Sequence, residues 1–101
     1  MEIPKLSRTE RVILELLSVE EMFGLQLVEQ SKGALKRGTV YVTLGRMQDK
    51  GYVESRTEKQ PPAAIGLPRR LYRPTAYGLR VLAAWEVAAR VLSGPPTLRH
   101  A

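Results

Sequence analysis

Arg37-Gly38-Thr39-Val40-Tyr41-Val42-Thr43-Leu44-Gly45-Arg46-Met47-Gln48-Asp49-Lys50-Gly51-Tyr52-Val53 is the stretch that decides how this 101-residue chain folds. Val40, Leu44 and Met47 recur at i, i+4 and i+7, which places them on one face of a helix. A helix is therefore predicted from about Thr39 to Lys50, with Gly51 supplying the left-handed residue that ends it. Thr39, Tyr41, Val42, Thr43, Arg46 and Lys50 are left for the other faces. Threonines, a tyrosine and an arginine on an exposed helix face can hydrogen-bond to base edges and phosphates. The alternative, a solvated amphipathic helix, is weighed by what surrounds the stretch.

Upstream, Ser7-Arg8-Thr9-Glu10 has the capping-box pattern and opens a helix from about Arg8 to Val19, whose Val12, Ile13, Leu16 and Leu17 form the core face. Glu20 to Phe23 break that pattern, and Gly24 to Gln30 read as a second, short helix burying Leu27 and Val28. Downstream, Tyr52 to Thr57 and Arg69 to Arg73 alternate apolar and polar residues as half-buried strands do. Between them Glu58 to Pro68 is a long loop with three prolines and a glycine, too proline-rich to continue either strand. Three helices followed by a two-stranded hairpin is the order of a winged helix-turn-helix. In that arrangement the third helix enters the major groove and the hairpin lies along the backbone. The fold class is thus mainly α with a small β-hairpin, plus one further carboxyl-terminal helix.

That last helix is predicted from Ala76 to Leu92, capped by Thr75 after Pro74 and stopped by Ser93-Gly94-Pro95-Pro96. Placed at helical steps, Tyr77, Gly78, Val81, Leu82, Ala84, Trp85, Ala88, Ala89, Val91 and Leu92 cover about half the circumference without a charge. One core needs a narrower stripe, so a homodimer is expected, with Tyr77, Val81, Leu82, Trp85, Ala88, Ala89 and Leu92 at its interface. Palindromic DNA sites call for such a dimer.

Charge is segregated. Residues 1–31 hold three basic and six acidic side chains, whereas residues 32–73 hold ten basic and three acidic ones, within a chain of net charge +6. A basic block of this kind is the footprint of a surface that meets phosphates. No apolar run approaches the roughly 20 residues needed to cross a bilayer, and Met1 to Lys5 lack the sections of a secretory signal, so a cytoplasmic location is expected. Without cysteine, and with a single histidine at His100, neither a thiolate or multi-histidine metal site nor a histidine triad can be assembled. No phosphate-cradling glycine motif is present. An enzyme is therefore not expected, and no cofactor is implied.

Arg37 to Val53 resembles the Gly-Thr-Leu-Tyr…Leu…Leu…Gly recognition-helix signature of the PadR transcriptional regulators. Arg70-Leu71-Tyr72-Arg73-Pro74-Thr75-Ala76-Tyr77-Gly78 is similar to that family's Arg-x-Tyr-x-x-Thr-x-x-Gly, and Phe23-Gly24-Leu25 stands at its Tyr-Gly-Tyr-like helix start. Two departures are Val42, where proline is usual, and Leu25, where tyrosine is frequent. The resemblance implies a short subfamily with a single dimerisation helix, and a sequence-specific, repressing, homodimeric regulator released by a small effector. The single domain is expected to comprise a winged-helix part over 8–74, a dimerisation helix over 75–93 and a disordered tail over 94–101. The expected partner is double-stranded DNA with a palindromic operator. Thr39, Tyr41, Thr43 and Arg46 are expected in and beside the major groove, with Lys36 and Arg37 at the helix entrance and Lys59, Arg69 and Arg70 on the wing. Two Trp85 indoles near a two-fold axis could stack a small aromatic effector; plain interface packing is the alternative role. The rival function is a winged-helix module that binds a protein partner without DNA sequence specificity.

Overall fold

A reciprocal cap starts the first helix. In the computed structural model, which describes residues 3–58 and 69–93, the Glu10 N–H donates to Ser7 Oγ at 3.1 Å and the Ser7 N–H donates to Glu10 Oε1 at 2.8 Å. From this cap α1 (Arg8–Leu17) runs with Ile13, Leu14 and Leu17 buried. Lys59, His100 and the expected tail from 94 to 101 lie outside the described residues.

The order that follows is β1 (Met22–Phe23), α2 (Gly24–Gln30), α3 (Arg37–Asp49), β2 (Val53–Thr57), β3 (Arg70–Pro74) and α4 (Ala76–Leu92). α3 begins two residues earlier than its apolar spacing suggested, at a Lys36 cap with no side-chain hydrogen bond. The hairpin is also wider than expected: the sheet has three antiparallel strands in the order β1-β3-β2. Met22 pairs with Tyr72 and Phe23 with Leu71, on the β3 edge opposite the one that pairs Ser55 with Tyr72. The pattern break at Glu20 to Phe23 is thus partly a strand. Two residues are too few to show alternation, and only tertiary pairing with β3 creates the strand.

α3 ends as its sequence requires. Tyr52 N–H donates to the Met47 carbonyl at 2.8 Å and Gly51 N–H to the Gln48 carbonyl at 3.0 Å, a Schellman pair closed by Gly51 at φ +79°. Thr75 then caps α4, its Oγ1 accepting from Gly78 N–H at 2.9 Å and donating to the Gly51 carbonyl. The two helix ends are joined through that one hydroxyl.

The core draws on every helix and includes Ile13, Leu14, Leu27, Val40, Leu44, Met47 and Tyr72. It also takes Val81 at 3% and Leu82 at 5% exposure, which corrects the expectation that these two form a dimer interface. They face the chain's own interior, because α4 packs its Gly78 side on α1 and the α3–β2 corner. Trp85 is half-buried, packs against the same core and donates its Nε1–H to the Pro4 carbonyl at 2.7 Å.

One charge is drawn inside. Glu10, 6% exposed at its side chain, accepts from Lys50 Nζ at 2.7 Å. Burial alone would raise its carboxyl, but the Lys50 ammonium and the Ser7 amide and hydroxyl outweigh burial and hold it below its ordinary 4.5. A depressed folded-state value means that the pair's stability is complete above about pH 4.5 and is lost as pH falls through the folded value. Urea midpoints should fall on acidification below that point, while Glu10→Gln should be less stable at pH 7 with a flatter acid limb.

Gly78 admits no side chain, since a Cβ there would overlap the Tyr52 backbone carbonyl. Gly78→Ala should cost about 1–3 kcal/mol, read as a lower urea midpoint at unchanged slope.

Candidate nucleic-acid interface

With Val40, Leu44 and Met47 buried, helical steps place Gly38, Val42, Gly45 and Asp49 on the opposite ridge of α3. Thr39 and Arg46 flank this ridge on one side, Arg37 and Tyr41 on the other. All of these are exposed, Tyr41 at 51% and Val42 at 57%. Thr43 differs from its expected place: it is half-buried beside the core, and its Oγ1 donates to the Thr39 carbonyl at 3.0 Å. Its hydroxyl proton is therefore spent inside the helix. Val42 is the outward residue that the sequence reading left unassigned, although its place on the wheel, opposite the core triad, was available from spacing alone. Around it Gly38 and Gly45 leave open space where a Cβ would stand.

The basic block sorts into paired and outward-facing groups. Lys50 is held by Glu10, Arg56 by Glu21 and Arg73 by Glu54. Arg56 reaches Glu21 through Nε at 3.0 Å and NH2 at 3.2 Å, and this guanidinium fork holds the Glu21 carboxyl below its usual range. The Arg56 and Arg73 pairs fasten β2 to the turn before β1 and to β3. Lys36, Arg37, Arg46, Arg69 and Arg70 are exposed, with no salt bridge among the described residues.

Wing and helix meet in one cleft of about 670 Å³, lined by Phe23, Gly24, Leu25, Gln26, Glu29, Tyr41, Arg69, Arg70 and Tyr72. Arg69 lies over the Phe23 ring at 5.0 Å. Arg70 NH1 donates to Ser55 Oγ at 3.2 Å, and the same oxygen accepts from Gln48 Nε2 at 3.0 Å, so Ser55 ties the wing to the last turns of α3. Burial pushes the Tyr72 phenol up, against the lowering effect of Arg70. The described residues contain no group of three His, Cys, Asp or Glu able to hold a metal. Nor is any described helix long and apolar enough to cross a membrane.

A helix-turn-helix with a wing, carrying the exposed Arg37 and Arg46 on α3 and Arg70 on β3, is matched at the level of sequence. Residues 13–84 match the transcriptional regulator PadR-like family. The chain belongs to the PadR-like family of transcriptional regulators. Comparison with curated protein sequences returned no match. Among solved structures, a PadR family transcription regulator from Clostridium difficile R20291 is similar at TM-score 0.74 and 23% identity, over 86% of this chain and 92% of that one. A PadR family regulator from Eggerthella lenta is similar at TM-score 0.69 and 28% identity, over 82% and 72%. Bacillus subtilis PadR, solved in complex with operator DNA, is similar at TM-score 0.67 and 25% identity, over 76% of this chain and 45% of that one.

As a PadR-like protein the chain works in transcriptional regulation and not as an enzyme. Its α4 differs from the expected half-apolar helix. Leu79, Ala83, Val87 and Val91 form a second apolar row, spaced four residues apart and exposed on the side away from the core, among Arg80, Glu86 and Arg90. Leu79 and Val87 lie outside the charge-free half of the helix, among Arg80, Glu86 and Arg90, so apolar spacing does not single them out.

Proposed function

We propose that this PadR-like regulator binds operator DNA as a homodimer and represses transcription. The observation that carries the reading is the shared cleft. Tyr41 of α3, Arg70 of β3 and Arg69 just before that strand line it together, so the helix that would read bases and the wing that would grip phosphates share one cleft carrying two guanidinium groups. The operator complex of the Bacillus subtilis relative supports the same partner. On α3, Arg46 reaches outward at the edge of the ridge, where a planar guanidinium can bond two guanine acceptors together. Thr39, Tyr41, Lys36 and Arg37 add contacts to base edges and phosphates.

For the dimer, the exposed row from Leu79 to Val91, with Leu92 beside it, supports pairing through α4. An exposed row of apolar side chains along a helix is the kind of patch that a partner surface covers. A small aromatic effector would find its place beside Trp85, in a cavity of about 380 Å³ lined also by Lys5, Leu6, Ser7, Glu10 and Lys50. Its binding would loosen the Trp85 bond to Pro4 and shift α4.

The affinity for a duplex selected from random DNA should fall with salt at a log–log slope near −0.9 per phosphate contact. Arg46→Ala should cost roughly 1–3 kcal/mol and relax one operator position, whereas Arg70→Ala should weaken all sequences alike. Gel shifts at two salt concentrations check both, and an affinity insensitive to salt would contradict the reading.

Val87→Glu and Val91→Glu should give folded monomers that no longer span two half-sites about 34–36 Å apart. Val81→Glu and Leu82→Glu should instead unfold the chain, because their side chains are core. Light scattering together with thermal melting separates the two outcomes.

A further inference from the structure

Gly24 is a glycine the backbone does not ask for. It opens α2 with a φ outside the left-handed region, so alanine would suit the local conformation and would raise helix propensity. What a side chain would displace is Tyr41: a Cβ at position 24 would stand 2.5 Å from Tyr41 Cε1, 2.7 Å from Cζ and 2.8 Å from the hydroxyl oxygen. Tyr41 is half-exposed and lies outside the core cluster. Its ring is thus seated against α2 at a place that the core does not require.

We propose that the cleft between Gly24, Tyr41 and the root of the wing seats one backbone phosphate of the duplex, and that Gly24 is the positioning residue that keeps the Tyr41 hydroxyl in it. The inference rests on the DNA-binding reading above. Two guanidinium groups line the cleft, Arg69 resting on the Phe23 ring and Arg70 steadied by Ser55. A guanidinium lying on a ring or held by one N–H keeps further donors for an anion. Glu29 supplies the opposing charge in the lining, which leaves a net of one positive charge. That balance suits a phosphodiester, which carries a single negative charge, better than a free phosphate dianion. Tyr41 adds a neutral O–H donor from the α3 side, so one phosphate would be gripped by the recognition helix and the wing together.

The test uses the full chain and a duplex selected from random DNA, with a neutral methylphosphonate placed at one phosphate at a time. The parent protein should lose about tenfold in affinity at one position per half-site, as expected for removal of a charged hydrogen-bonded partner. Arg70→Ala and Tyr41→Phe should each be weaker binders whose loss on modification at that position is smaller than the parent's. Gly24→Ala should lose a similar factor with its melting temperature unchanged, and should cost nothing further in a Tyr41→Ala background, because it acts only through the ring. Should Gly24→Ala fail to fold, Tyr41→Phe and the methylphosphonate scan decide alone. Losses that simply multiply at every phosphate, a flat scan, or a folded Gly24→Ala that binds like the parent would overturn the proposal while leaving DNA binding intact. A parent protein that binds no duplex overturns the DNA-binding reading itself, and this inference with it.

Discussion

The direction in which α3 points is fixed at its carboxyl end, by the Tyr52 carbonyl. That oxygen accepts from Thr75 N–H at 3.0 Å, lies against the bare Cα of Gly78, and follows directly on the Schellman turn that closes α3. Tyr52 also donates its hydroxyl to the Lys5 carbonyl at 2.7 Å and carries Lys50 Nζ 5.5 Å from its ring centre. One residue therefore joins the end of α3, the start of α4, the beginning of β2 and the segment before α1. Moving α4 with respect to the others means breaking this junction, so any signal that reaches α4 is mechanically close to α3.

Much of this was legible in the sequence because it is local. The capping box at Ser7 and Glu10, the i, i+4, i+7 core of α3, the Gly51 stop and the Thr75 cap each depend on side chains within a few residues of one another, where spacing is a direct statement about geometry. β1 was not legible, since Met22 and Phe23 become a strand only by meeting β3 about fifty residues later. The division of α4 was hidden for a related reason. Periodicity shows which residues are apolar, but it cannot divide them between the chain's own core and a second surface. Val81 and Leu82 went inward, and the row from Leu79 to Val91 stayed outside.

The candidate site shows the same boundary between local and tertiary information. That Arg46, Arg69 and Arg70 belong to a basic block follows from counting charges. That Arg56 and Arg73 are committed to Glu21 and Glu54 does not, because the partners meet only across strands. Such exposed pairs add little stability. Their effect is to remove two cations from the pool available to a ligand and to fix the wing's slope. Thr43 illustrates the converse: a residue of the right type on the right helix, turned toward the core by one step of the wheel.

The bond from Trp85 Nε1 to the Pro4 carbonyl has an optical consequence. Trp85 is the chain's only tryptophan, and its indole is half-buried with its sole polar atom engaged by the segment ahead of α1. Release of that segment would hydrate the indole and shift its emission to longer wavelength. The molecule thus carries a built-in chromophore at the joint between its first residues and its last helix, and its emission spectrum reports whether that joint is open or closed.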